Sequence, residues 1–336
     1  MKPFFEKGPI RWGIIGCGSV TEVKSGPAYN LTEDFELAGV MRRNLAKAED
    51  YAKRHNVPFY SNNASEIIQN PTFDAIYIAT PPDTHKQYGL QVAKAGKPCC
   101  IEKPMAPTYE ESLEIYSAFK EKNLPLFVAY YRRSLPRFLK IKEWLRAGLI
   151  GEVRHIRWHK SKTASELDLS GKYNWRTDSK IARGGYFDDL ASHGLDLFTF
   201  LLGDIKEANG FATNQQGLYS AYDAVSGSWI HENGITGEGS WVFGAHKRQD
   251  NVEILGVNGE IRFSVLDEHP IEIVSDAIKE SLFIEHPKHL HEFHVYNMRQ
   301  HLFGLSEHPS TGETALHTSW VMEKILNPDE FKITSN

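Results

Sequence analysis

Three cysteines in 336 residues supply no disulfide framework, because Cys99 and Cys100 are adjacent and Cys17 sits in a glycine-rich turn. A reducing compartment, the cytoplasm, is the expected setting. No apolar run reaches the length of a membrane span, and the N-terminus carries Glu6 and runs almost at once into a strand, unlike a signal peptide. Charge of one sign is also missing: 38 Lys and Arg stand against 43 Asp and Glu, a formal net charge of −5. That balance argues against a nucleic-acid or anionic-membrane partner. Repeats and low-complexity tracts are absent too. What is present is an ordinary globular composition, 41% hydrophobic and 24% charged, long enough for two domains with separate cores.

The first half alternates strands with helices. Ile10–Ile15 is a short apolar run that ends in Gly16-Cys17-Gly18-Ser19-Val20-Thr21. Strand, glycine-rich turn and helix start form a dinucleotide-binding arrangement, in which Gly16 permits the tight turn and Gly18 the close approach of a pyrophosphate. The third glycine of that fingerprint is lacking, with Thr21 in its place, and Gly26-Pro27 should end or kink the helix early. A second strand, Phe35–Met41, is followed by Arg42 and Arg43 and by no acid before Glu49. An acid there would bond the ribose 2′-hydroxyl of NAD; two arginines suit the 2′-phosphate of NADP, with NAD still open. Two solvated loop arginines are the competing reading.

Further strands are expected near Phe59, at Asp74–Ala79 before Thr80 and Pro81, at Cys99–Ile101 and from Leu126 to Tyr130. Thr84 with Gln87 and Thr108 with Glu111 read as capping boxes, and Leu113, Tyr116 and Phe119 as an inward stripe. Such alternation means a parallel sheet covered on both faces. Gly16, Arg42, Thr80 and Lys103 then all fall at strand carboxyl ends, where ligands of these sheets lie. Lys103 itself closes a buried strand after Glu102, a costly place for an ammonium without a ligand or counter-charge. A surface lysine paired with Glu102 is the plainer alternative. Pro104 admits a cis bond after Lys103.

Past Tyr131-Arg-Arg133 the pattern changes to a helix over about 137–147 and then mostly strands, with Asn233-Gly234 and Asn258-Gly259 as hairpin signals. One face of this antiparallel sheet should pack on helices. The other is a candidate subunit interface if Trp229, Trp241 and Phe243 lie on it, although core burial explains those aromatics equally. One helix, entered through Gly184-Gly185 and running to Leu202, places Asp189 and His193 four residues apart on one face. A histidine oriented by a carboxylate suits acid–base chemistry; a dipole-favoured Asp and a core histidine form the competing pair, and Asp196 competes as partner. His286, His289, His291 and His294 read as a histidine-rich helix entry; no metal is expected, since His291-Glu-Phe-His294 is one residue short of the zinc-protease spacing.

Gly16-Cys-Gly18, Thr80-Pro81 through His85, Glu102-Lys103-Pro104, and Gly184-Gly185 followed by Asp189 and His193 occur in one order over nearly the whole chain. In this the chain resembles the Gfo/Idh/MocA oxidoreductases. The resemblance implies an α/β plus α+β protein. A Rossmann-type parallel-sheet domain over 1–132 would be followed by an α+β domain over 133–336, with a mostly antiparallel open sheet and helices on one face. It implies an NAD(P)-dependent dehydrogenase or reductase acting on a secondary alcohol or carbonyl of a sugar, sugar acid or cyclic polyol. Non-sugar substrates of the dihydrodiol or biliverdin type, and a non-catalytic dinucleotide sensor, are the alternatives. Lys103 would hydrogen-bond the reacting oxygen, His193 would act as base or acid, and Asp189 would orient His193 or hold a substrate hydroxyl. Thr80, Pro81 and His85 would border the nicotinamide, and Glu102 would set the cofactor or Lys103. Tyr131, Arg132, His159, Trp175 and Arg176 are the candidates for the substrate wall. A homodimer or homotetramer through the second sheet is also implied.

Overall fold

The computed structural model describes residues 2–327. Six strands form a parallel sheet: β1 (Ile10–Ile15), β2 (Phe35–Met41), β3 (Phe59–Ser61), β4 (Ala75–Ile78), β5 (Cys99–Ile101) and β6 (Leu126–Val128), in the order β3-β2-β1-β4-β5-β6. Each strand is short and apolar because both faces are buried. Trp12, Ile14, Ala75, Tyr77, Cys100 and Phe127 point into one core. The alternate residues Ile15, Ile76, Ile78, Cys99, Ile101 and Val128 point into the other. The helices between them are α1 (Ser19–Val23), α2 (Gly26–Leu31), α3 (Leu45–His55), α4 (Ser65–Ile68), α5 (His85–Lys94) and α6 (Tyr109–Glu121).

The break between α1 and α2 lies where Gly26-Pro27 predicts it, with Pro27 in the first turn of α2. Thr108 caps α6 as expected, accepting from Glu111 N at 3.2 Å. Thr84 does not cap α5; its hydroxyl donates to Thr80 Oγ1 at 2.7 Å, tying the β4 turn to itself. Of the expected inward stripe of α6, Phe119 is buried, while Ser112 and Ile115 are buried in place of exposed Leu113 and half-buried Tyr116.

Two compact units divide the chain. The first runs to Leu135 and takes back His286–Leu316; the second holds Pro136–Glu285 and resumes at His317. A single cut at 132/133 therefore misplaces the returning segment, whose Val295, Met298 and Leu302 fill the core beside Phe127.

The second unit contains α7 (Pro136–Arg146), β7 (Val153–Lys162), α8 (Glu166–Leu169), α9 (Tyr186–Leu202), β8 (Ile205–Thr213), β9 (Ala224–His231), β10 (Thr236–Phe243), β11 (Gln249–Gly256), β12 (Gly259–Phe263), β13 (Ile271–Ser275) and β14 (Lys279–Leu282). The chain continues with α10 (Glu292–Leu302) in the first unit and α11 (Gly312–Leu326), whose residues fall on both sides of the division. The eight strands form one sheet, ordered β14-β13-β12-β11-β7-β10-β9-β8. It is antiparallel except where β7 runs parallel to β10. Both Asn-Gly signals are hairpin turns, joining β9 to β10 and β11 to β12.

Trp229, Trp241 and Phe243 are buried, facing α9. The open face is polar and glycine-rich instead, with Arg157, Asn209, Ser226, Ser228 and Glu238 around an exposed Phe211. No helix among the described residues is long and apolar enough to cross a membrane.

Candidate functional site

In the first unit the sheet order reverses between β1 and β4, so the loops after these two strands open a crevice at their carboxyl ends. Gly16 occupies this point with φ +98°. A Cβ on it would lie 2.6 Å from Thr80 Cγ2 and 2.9 Å from the backbone of Ala79, so only glycine fits. Gly18 is different: its φ of −135° is ordinary, and the nearest atom to a Cβ there is Gly16 O at 3.8 Å. The protein itself leaves that side of Gly18 open, as a cradle for a pyrophosphate requires. Ser19 and Val20 begin α1 beside it, with no side chain capping the helix. Thr21 does not disturb the turn, since its hydroxyl folds back to Gly18 O at 2.9 Å. The close helix packing of a third glycine is supplied by Gly26, where a Cβ would stand 2.3 Å from Thr21 O. These residues fit a dinucleotide.

Arg42 and Arg43 follow β2 at the same edge, Arg42 half-buried and Arg43 exposed. The Arg42 charge faces Cys17, whose thiol burial nonetheless pushes up to about 11. Thr80 and Pro81 follow β4. His85, wholly buried, sets its two ring nitrogens 2.8 Å from Thr80 O and 3.1 Å from Pro104 O. It braces the β4 turn against the β5 turn, and burial depresses its pKa despite both carbonyls.

Glu102 and Lys103 follow β5, and the Lys103–Pro104 bond is cis. The Glu102 carboxyl is buried, accepts a hydrogen bond from Tyr77 Oη and lies 3.9 Å from His291 Nε2. Burial raises its pKa, against the opposing pull of Tyr77 and Lys103. Tyr77 Oη is also 3.1 Å from Ser25 Oγ, which connects Glu102 to the turn between α1 and α2. Burial lowers the His291 pKa to about 3, so this histidine is neutral beside Glu102. Tyr131, in a buried turn after β6, packs on it with ring centres 4.6 Å apart, and the Arg132 guanidinium lies over Tyr131, 4.9 Å from its ring centre.

In the second unit, Gly185 (φ +63°) turns the chain into α9, and a Cβ there would strike Tyr222 O at 2.6 Å. Asp189 and His193 sit on this helix, His193 only 5% exposed. Asp189 Oδ2 accepts from Arg176 Nε at 2.8 Å, and the Arg176 guanidinium lies over Trp175, 4.3 Å from the ring centre. Asp196, the competing partner, accepts from Thr318 Oγ1 at 3.1 Å. His159 does not join this group. It lies on the open face of the sheet, 2.7 Å from Ser240 Oγ, because alternate residues of a strand face opposite ways. Its neighbours Trp158 and Lys160 are buried on the opposite face, Trp158 against Gly194 and Phe198 of α9, a one-residue slip that only the strand register reveals.

The sequence singles out neither Tyr77, Ser25 nor Lys160, and it offers His291 only as part of a histidine-rich helix entry, not as a neighbour of Glu102. A tyrosine within an apolar strand and a lysine two residues after an inward tryptophan were the available signals.

A family profile described as an oxidoreductase family with an NAD-binding Rossmann fold matches residues 10–130, and the GFO/IDH/MocA C-terminal domain matches residues 138–262. Oxidoreductase P35 of Formosa agariphila is 36% identical over 315 residues, 94% of this chain and 97% of that protein. The 1,5-anhydro-D-fructose reductase of Ensifer adhaerens is 24% identical, over 90% of this chain and 91% of its own. A levoglucosan dehydrogenase solved with NADH and levoglucosan shares the fold, with a TM-score of 0.83 at 22% identity over 94% of this chain and 96% of the other. Parallel and antiparallel sheets, the glycine turn, Glu102-Lys103-Pro104 and Asp189 with His193 thus have one common explanation: the chain belongs to the GFO/IDH/MocA family and is an NAD(P)-dependent oxidoreductase.

Proposed function

We propose that the chain transfers a hydride between NADP(H) and a secondary alcohol or carbonyl of a sugar, sugar acid or cyclic polyol. The observation that carries this reading is the convergence of Gly16, Arg42, Thr80 and Lys103 on one edge of a parallel sheet. Gly16, Cys17, Gly18, Ser19, Val20, Thr80 and Pro81 would hold the dinucleotide, and Arg42 with Arg43 a 2′-phosphate. When bound, the nicotinamide accepts or gives the hydride.

The rest falls to side chains. Oxidation of an alcohol carbon releases the hydroxyl proton along with the hydride, and His193 takes that proton. The Lys103 ammonium hydrogen-bonds the same oxygen and stabilises its developing negative charge. In reduction the proton returns from His193 to the carbonyl oxygen. Asp189, held by Arg176, positions the turn of α9 that carries His193. Glu102, anchored by Tyr77, positions Lys103.

Named relatives support the substrate class: a levoglucosan dehydrogenase of Pseudarthrobacter phenanthrenivorans, 29% identical over 61% of this chain, and the NADP-linked scyllo-inositol 2-dehydrogenase of Bacillus subtilis, 33% identical over 49%. Three buried thiols suit the cytoplasm. The open polar face of the second sheet, bearing exposed Phe211, suits association into a homodimer or homotetramer.

The test is nicotinamide absorbance with a panel of sugars and inositols. Lys103→Ala should bind cofactor normally and lose at least roughly a hundredfold in kcat. His193→Ala should lose the ionisation that bounds the pH–rate profile. Full turnover by Lys103→Ala, or an unchanged pH profile in His193→Ala, removes the corresponding role. Tighter binding of NAD than NADP in a titration overturns the cofactor preference.

A further inference from the structure

Lys160 on β7 is 1% exposed, and its Nζ makes no hydrogen bond among the described residues. Asp250 stands directly across from it on β11. That carboxylate is engaged elsewhere, accepting from Trp158 Nε1 at 2.9 Å, Leu266 N at 2.5 Å and Asp267 N at 2.9 Å. Lys162, two residues on and on the same face, forms no ion pair among the described residues. Its ammonium lies 3.6 Å from the centre of the Tyr186 ring. The remaining acids nearby are also taken. Asp168 accepts from Ser165 Oγ and Tyr186 Oη at 2.6 Å each, Asp189 from Arg176, and Asp267 from Arg248 Nε at 3.1 Å. Two inward lysines thus lack an anionic hydrogen-bond acceptor, while every neighbouring acid has other donors. Burying an ammonium in this way is costly unless a ligand repays it.

The position of these lysines follows from packing. At one end, a Cβ on Gly194 would stand 2.3 Å from the Trp158 ring. At the other, Lys162 covers Tyr186. From Trp158 to Lys162 the strand rises roughly 13 Å. From Gly194 to Tyr186 the helix rises about 12 Å. Trp158 and Lys162 on β7 thus both touch α9, and Lys160 lies between them on the same face of the strand.

We propose that Lys160 and Lys162 receive a carboxylate of the substrate, so that among sugars and polyols this enzyme selects a sugar acid. The inference rests on the sugar or polyol reading given above. A carboxylate supplies both missing acceptors with a single negative charge. A phosphate dianion would add a second charge beside Asp168 and Asp189, where it would be repelled. Arg176 and Arg248, the other cations in this region, are committed to Asp189 and Asp267.

The test uses the full chain with NADP and NAD, comparing D-galacturonate and D-glucuronate with D-galactose, D-glucose and D-glucose 6-phosphate. The kcat/KM for a uronate should exceed that of its parent hexose at least a hundredfold. The uronate-to-hexose ratio should fall at least tenfold in Lys160→Met and in Lys162→Gln; the less buried Lys162 keeps the test available if Lys160→Met folds poorly. Isothermal titration of the NADPH-loaded protein should show galacturonate binding at least tenfold tighter than galactose. Hexoses used as well as uronates, a ratio unmoved in both variants, or a preference for the sugar phosphate overturns the inference and leaves the functional reading standing. If no sugar or inositol of any charge is turned over, the functional reading fails, and the titration alone decides whether the lysines bind a carboxylate.

Discussion

Tyr77 Oη, buried in β4, donates a hydrogen bond to the Glu102 carboxylate at the end of the neighbouring strand β5. Tyr77→Phe removes that donor and should cost about 1–3 kcal/mol in urea unfolding. The pH dependence identifies the partner. Burial raises the Glu102 pKa in the folded chain, and the Tyr77 bond partly offsets the rise. A carboxyl with a raised folded pKa contributes stability below its unfolded value, near 4, and loses it as pH rises through the folded value. Without the phenol the folded value rises further, so the deficit of Tyr77→Phe should be larger at pH 8 than at pH 5. An equal deficit at both would mean that the hydroxyl serves packing or Ser25 alone.

Gly16 and Gly18 separate fold from binding. Gly16→Ala forces a Cβ to 2.6 Å from Thr80 at φ +98°, so both Tm and NADPH affinity should fall. Gly18→Ala meets nothing nearer than 3.8 Å, so its Tm should stay within about 2 °C. Its NADPH affinity should still drop at least tenfold, since the methyl occupies the approach of the pyrophosphate. Fluorescence titration of NADPH measures this. Unchanged affinity in Gly18→Ala would remove the turn from the cofactor site.

Legibility in the sequence followed the range of the interactions involved. Gly16, Thr80 and Lys103 could be placed at strand ends because each follows its own apolar run, a purely local signal. The broken helix at Gly26-Pro27 was readable for the same reason. His159, a substrate-wall candidate, lies on the open face because a strand admits two faces, and only pairing with β10 and β11 decides between them. The same ambiguity hid Lys160. Thr84 carries a cap sequence, but its backbone is already helical (φ −107°, ψ −5°) rather than extended, so its oxygen accepts no N–H of α5. The return of His286–Leu316 to the first unit, with His291 brought to Glu102, is a long-range event that no local pattern announces.

Asp188 supplies the sharpest pH signature in the second unit. It precedes Asp189 on α9, is 7% exposed and accepts from Gly184 N at 2.9 Å. Burial pushes its pKa up to about 7, the Gly184 bond opposes this, and the charges of Glu323 and Asp189 add to the rise. An unfolded aspartate titrates near 4. Between pH 4 and 7 the folded chain therefore holds a proton that the unfolded chain has released, and stability falls as pH rises through this window. The whole swing corresponds to on the order of 4 kcal/mol. Asp188→Asn keeps an acceptor for Gly184 N and removes the ionisation. Its stability should match the parent near pH 4.5, exceed it by a few kcal/mol at pH 8, and show a flatter curve between. A parent and variant that stay parallel from pH 4.5 to 8 in urea unfolding would mean that Asp188 is ionised in the folded chain throughout.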